Sequence, residues 1–319
     1  MTGFPPLVST RSLAARALLA VLGLLLTVCH VHADFNEAER LTDGARGASD
    51  AALTYDVAGN IYVVSVVEGR LQVDLFGPCL RAEAVIPGGS GRRGEPRAVT
   101  GSRGEAVVCF SERRGDAPGS ERDVYITHNA GGVFTEPVRL SGGSGDNFAP
   151  RLVLDRLGNP HVVWNTVRED VPLVLYYNPV NEVVEEVAPG RFPAHCIDSR
   201  GTFHLVYQRG DRLYCNNNGG GVFSHEFEIR GTPSTIEPGA AIAGTRDGRL
   251  VVSYADSGSL YLLEGRAESD FATATEIDSG GISRADLRAG RDGGLSLVYV
   301  KDGDVYRVSG SGSADLDSE

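Results

Sequence analysis

Leu152-Val153-Leu154-Asp155-Arg156-Leu157-Gly158-Asn159-Pro160-His161-Val162-Val163-Trp164 is the stretch whose reading decides the fold. It is an alternating apolar segment, an Asp-x-x-Gly turn and a second alternating segment ending on an aromatic. Asp hydrogen-bonds its own backbone and Gly accepts positive φ, so such a turn joins two antiparallel strands tightly. The arrangement recurs along the chain. Gly59, Gly104, Gly158, Gly201, Gly248 and Gly293 anchor six copies at intervals of 45, 54, 43, 47 and 45 residues, close to the length of one propeller blade.

Four residues after each glycine stand Val63, Val108, Val162, Leu205, Val252 and Leu297, and six residues after it Ser65, Phe110, Trp164, Tyr207, Tyr254 and Tyr299. Period-two alternation with a recurrent aromatic suits a strand buried between neighbouring sheets. A third strand carries Val124-Tyr125, Leu175-Tyr176, Leu213-Tyr214, Leu260-Tyr261 and Val305-Tyr306. In the last three repeats it returns so soon that the two strands form a hairpin. A fourth strand is marked by Phe134 with Leu140, Phe223 with Ile229, and Phe271 with Ile277.

The sixth repeat has no such pair. After Tyr306 the chain passes through Ser309-Gly310-Ser311-Gly312 to an acidic end, so residues 310–319 are expected to form a flexible tail. The missing pair stands at the other terminus, as Phe35 and Leu41. A strand from the N-terminus that completes the last sheet closes a ring and removes its open edges. The expected fold is therefore all-β: a six-bladed β-propeller of four-stranded antiparallel blades over residues 34–309, closed by that N-terminal strand.

Residues 1–33 read as a signal peptide. Arg11 and Arg16 precede an apolar run over 17–28, and Ala33 ends an A-x-A-like cleavage site. The run is shorter than the ~20 residues of a membrane span, so no membrane insertion is expected after cleavage, and the expected address is secreted or periplasmic. Two arginines and no acids leave with the peptide, taking the formal charge from −12 to −14. A chain this acidic repels phosphate backbones and anionic lipid, which argues against nucleic acid as a partner. Cys79, Cys109, Cys196 and Cys215 remain. Their strand neighbours predict buried free thiols.

The repeat resembles those of the sialidase-like propellers, the Asp-box or BNR-repeat proteins. Thr127-His128-Asn129-Ala130-Gly131-Gly132-Val133-Phe134 is similar to their Ser/Thr-x-Asp-x-Gly-x-x-Trp/Phe box, with Asn for Asp, and Asn216-Asn217-Asn218-Gly219-Gly220-Gly221-Val222-Phe223 is a weaker copy. The run 150–164 resembles the strand pair common in that group. Asp boxes brace the fold in enzymes and binders alike, so the resemblance implies architecture rather than activity.

Chemistry is expected where inner strands enter the central channel. That placement brings Asp50, Glu95, Arg97, Arg151, His195 and Arg284 toward one mouth, and the loops between second and third strands add Arg168 and Arg209. The resemblance implies a hydrolase alternative on acidic sugars, with three arginines holding a carboxylate, a Tyr–Glu nucleophile pair and an Asp acid/base. Arg97, Arg151 and Arg284 match the clamp by position alone. The Arg-Ile-Pro-like motif of those enzymes is absent, and no Tyr–Glu pair follows from a motif. His128, His161, His195, His204 and His225 show no short metal-ligand spacing, and no cofactor is expected. The leading expectation is thus a monomeric, exported module that binds a glycan or an extracellular protein through its loop face without turning it over. A scaffold that only presents loops is the third reading.

Overall fold

The Asp-x-x-Gly turns build the strand pairs as the sequence predicts. In the computed structural model, Asp155 Oδ1 accepts the backbone N–H groups of Leu157 and Asn159, both at 2.8 Å, while Oδ2 accepts Asn159 Nδ2 at 2.8 Å. Asp56 repeats this with Ala58 and Asn60. Asp198 does so with Arg200 and Thr202, its second oxygen meeting His204 Nε2 at 3.1 Å. The turn glycines Gly59, Gly104, Gly158, Gly201 and Gly248 have φ between 81 and 89°, where a side chain is strained. Burial works to raise the Asp155 and Asp198 carboxyls, but the hydrogen bonds they accept outweigh it and hold both below their ordinary range. Asp155→Ala leaves those donors unpaired and is expected to cost about 1–3 kcal/mol in urea unfolding. Asp155→Asn, which keeps one acceptor oxygen, should cost less.

The structure describes residues 48–318 apart from 78–79, 118, 131, 220, 230–239, 267–270, 272–273, 291–293 and 311–316. The expected signal peptide and the expected closing strand with Phe35 and Leu41 lie outside the described residues, as do Cys79 and Gly293.

Six antiparallel sheets follow one another in chain order, in a propeller arrangement. The first has β1 (Ala48–Tyr55), β2 (Ile61–Val67), β3 (Arg70–Gly77) and β4 (Leu80–Val85). The second has β5 (Arg93–Thr100), β6 (Ala106–Arg113) and β7 (Arg122–Ala130); its outer position is shared by β8 (Val133–Phe134) and β9 (Val138–Arg139), both paired to β7. The third has β10 (Asp146–Leu154), β11 (Pro160–Arg168), β12 (Val171–Asn178) and β13 (Val183–Pro189). The fourth has β14 (Arg191–Ile197), β15 (Phe203–Arg209), β16 (Arg212–Asn217) and β17 (Phe227–Glu228). The fifth has β18 (Ala241–Gly244), β19 (Leu250–Asp256), β20 (Ser259–Gly265) and β21 (Ala274–Ser279). The sixth has β22 (Ile282–Ala289), β23 (Leu295–Lys301), β24 (Asp304–Gly310) and β25 (Asp317–Ser318). The last of these differs from expectation. Two residues of the segment read as a flexible tail pair with Val308 and Ser309 of β24, at the edge assigned to the N-terminal strand.

Five hydrophobic clusters fill the spaces between consecutive sheets, from first–second to fifth–sixth. In each, the aromatic six residues after the turn glycine faces the preceding sheet: Phe110, Trp164, Tyr207, Tyr254 and Tyr299 are all buried. Each stacks on or packs beside the third-strand residue opposite it, as Phe110 does on Tyr125 and Tyr254 on Tyr261. The exception is Ser65, on the first of the described sheets, which is buried as well. Among the described residues no comparable cluster joins the sixth sheet to the first, and Leu53 and Tyr55 of β1 and Val298 and Val305 of the sixth sheet are exposed. Cys109, Cys196 and Cys215 are buried free thiols, as expected.

Candidate functional site

The inner strands β1, β5, β10, β14 and β22 share an irregularity that sequence reading does not reveal. A bulge interrupts the register of each, and in four of them a non-glycine residue nine positions before the turn glycine has positive φ: Asp50 (43°), Glu95 (54°), Ala149 (52°) and Phe192 (55°). The amides there tie sheet to sheet. Glu95 N–H points at Asp50 Oδ2 at 3.4 Å, Ala149 N–H donates to Glu95 Oε2 at 2.9 Å, and Phe192 N–H donates to Asn165 Oδ1 at 2.8 Å. Asp50 and Glu95, expected at the channel mouth, act as acceptors for their neighbours' backbone. Glu95 also accepts Ser111 Oγ at 2.7 Å and lies 3.6 Å from Arg122.

Arg284 follows the bulge in β22 and pairs with Val300; its side chain is outside what the structure describes. Arg168 pairs with Glu186 at 3.6 Å. Arg209 is held by Glu226 at 2.6 and 2.9 Å and by Pro189 O at 3.0 Å, and lies over the Tyr214 ring at 4.5 Å. Arg168 and Arg209 are thus occupied by protein partners.

Arg97, Arg151 and His195 are different. They come from three consecutive inner strands, β5, β10 and β14. The guanidinium of Arg97 donates only to Pro96 O, at 2.9 Å, and its Nε is buried without a partner among the described residues. No hydrogen bond or ion pair is seen for Arg151 among them. Burial first, and then the charge of Arg97, push the Arg151 guanidinium down from 12.5 to about 10. Asp286 and Arg288 of β22 also act on it, in opposite directions. The third and sixth sheets stand three apart in a ring of six, so side chains that feel one another from both face the common central space. Arg288 is the further cation there, its side chain 72% exposed and 3.3 Å from Asp286.

Both ring nitrogens of His195 are buried without partners among the described residues, and the ring stacks on Phe203 with centroids 5.1 Å apart. Burial, and then the charges of Arg151 and Arg288, lower its pKa from 6.5 to about 3. The histidine is therefore neutral in the folded state while it titrates near 6.5 in the unfolded chain. Its stabilising contribution is complete above pH 6.5 and is lost as the pH falls towards 3. We expect the wild-type melting temperature to drop from pH 7 to pH 4.5, and the drop to be smaller for His195→Leu in the same scanning calorimetry series.

A Tyr–Glu contact does exist, but elsewhere. Tyr207 of β15 donates its hydroxyl to Glu226, and the cation beside them is Arg209. Burial and the Glu226 carboxylate push the Tyr207 hydroxyl up, which keeps its proton on and makes it a poor nucleophile. Among the described residues no group of three or more His, Cys, Asp or Glu is placed to hold a metal ion, and no helix is long and apolar enough to cross a membrane.

No family model matches the chain, and no curated protein matches it. Solved structures do. A protein of unknown function from Dyadobacter fermentans superposes with a TM-score of 0.56 at 12% identity, over 84% of this chain and 94% of that one. An alpha-L-arabinanase from Penicillium chrysogenum, complexed with arabinobiose, superposes with a TM-score of 0.52 at 13% identity, over 86% of this chain and 93% of the other. At such identities the likeness is one of fold, and the fold is the six-sheeted β-propeller.

Proposed function

We propose that this chain is an exported binding module for glycans that carry a carboxylate, which it holds in the central channel with Arg97 and Arg151 and does not turn over. The carrying observation is two neighbouring guanidinium groups, partly withdrawn from water, with no carboxylate in contact with either among the described residues. An isolated desolvated cation is costly, and an anionic ligand is what offsets it. Arginine suits the task because its planar fork matches a carboxylate with two parallel hydrogen bonds. Neutral His195, backed by buried Phe203, adds no charge that would compete with the clamp.

The absence of turnover follows from the separation of parts. The Tyr–Glu contact belongs to Arg209, and its hydroxyl is held protonated. A glycan array read with purified protein should show binding to uronate- or sialate-terminated glycans over their neutral counterparts. The same protein should release no fluorophore from a fluorogenic sialoside. Release that disappears in an Arg97→Met variant would favour the hydrolase reading instead. A blank array beside capture of a defined extracellular protein would favour a protein partner or scaffold.

A further inference from the structure

A second site lies at the seam between the second and third sheets, away from the channel arginines. At two neighbouring seams a ring-bearing side chain three positions after the turn glycine fills the gap. At the first–second seam it is Tyr62, whose hydroxyl reaches Gly104 O at 3.1 Å. At the third–fourth seam His161 stacks on Phe203 with centroids 5.5 Å apart. At the second–third seam the same position is Val107, and the residue facing it is Pro160. Neither is long enough to fill the space, and a cleft of about 270 Å³ remains, near the lower end of the ~300 Å³ at which ligand pockets begin.

Val107, Ile126, Val138 and Pro160 give the cleft apolar walls, and Glu105 and His128 supply its ionisable groups. The Glu105 carboxylate is half-buried and has no cation or hydrogen-bond donor against it among the described residues. Thr135 Oγ1 lies 3.4 Å from His128 Nδ1, leaving the other imidazole nitrogen uncommitted. We propose that this cleft binds a small organic ammonium ion with a compact apolar body, the body against the valines, Ile126 and Pro160 and the ammonium on Glu105. Charge complementarity selects the cation: an anion would meet the Glu105 carboxylate, and a neutral apolar molecule would leave that carboxylate partly desolvated and unpaired.

The test titrates benzylammonium chloride into the purified protein, with benzyl alcohol and sodium benzoate as matched probes, by ligand-detected NMR. Benzylammonium should bind and the other two should bind at least about tenfold more weakly, the fold-change of losing one charge-assisted hydrogen bond. Glu105→Gln should weaken benzylammonium by about tenfold. Val107→Tyr, which places in the second sheet the side chain that Tyr62 supplies in the first, should abolish it. The Arg97→Met, Arg151→Met double variant should bind it unchanged, so that failure here and failure of the carboxylate site are read separately. Absence of benzylammonium binding to the wild type, equal binding of benzoate, or undiminished binding by Glu105→Gln would overturn the proposal, and the last holds even if Val107→Tyr does not fold.

Discussion

Replacing Arg93 with methionine is expected to cost about 3–5 kcal/mol of folding stability, the range for removing one partner of a buried ion pair. The Arg93 and Glu112 side chains are only 3% and 9% exposed, and Nε meets Oε2 at 2.8 Å. The rest of the guanidinium is used as well. It donates to Ile86 O and Pro87 O at 2.8 Å and to Gly88 O, and it lies 4.9 Å from the Phe110 ring centroid. One side chain thus pins the link from the first sheet to the second against the core strand β6. Methionine would fill the volume but leave Glu112 charged, buried and without its cation. For a chain of this size the loss corresponds to roughly 10 °C in melting temperature. The Arg93→Met, Glu112→Met double variant should be less destabilised than Arg93→Met alone, because the stranded charge is then gone. Denaturant unfolding of the three proteins checks this; a loss below about 1 kcal/mol for Arg93→Met would contradict the buried pair.

Arg151→Met is expected to move stability and binding in opposite directions. Burial and the neighbouring Arg97 charge disfavour the Arg151 guanidinium in the empty protein. Removing that charge should therefore stabilise the fold, by about 1–3 kcal/mol after allowing for water reaching the channel. The same substitution takes away half of the carboxylate clamp and should weaken an acidic ligand by about 2–5 kcal/mol, roughly thirtyfold or more. A site that opposes stability in order to hold a ligand commonly shows this exchange. Thermal unfolding without ligand and calorimetric titration with ligand, on one preparation, give both numbers. A variant that both unfolds earlier and binds normally would mean that Arg151 serves the fold.

The two strand pairings around each turn were legible because every signal for them is local. Asp155, Gly158 and the alternation up to Trp164 lie within a dozen residues, and Asp56 and Asp198 repeat the same capping. The bulges were not legible. Positive φ at Asp50, Glu95, Ala149 and Phe192 has no compositional mark, because four unlike side chains occupy one backbone state. Arg97, Arg151 and His195 were picked by position alone; that Arg97 Nε and both His195 ring nitrogens lack partners among the described residues shows only once the sheets are stacked. The Arg93–Glu112 pair escaped for the same reason: it joins residues across a loop through burial, and burial is visible only once the sheets are stacked.

The claim on which the functional account depends is that the channel arginines hold a carboxylate. Calorimetric titration with glucuronate and N-acetylneuraminate, beside glucose and N-acetylglucosamine, tests it most directly. The account predicts that the two acids bind, that their affinity falls as salt rises, and that the Arg97→Met, Arg151→Met double variant binds neither. Neutral sugars binding as tightly as the acids, or acids binding equally to the double variant, would contradict it.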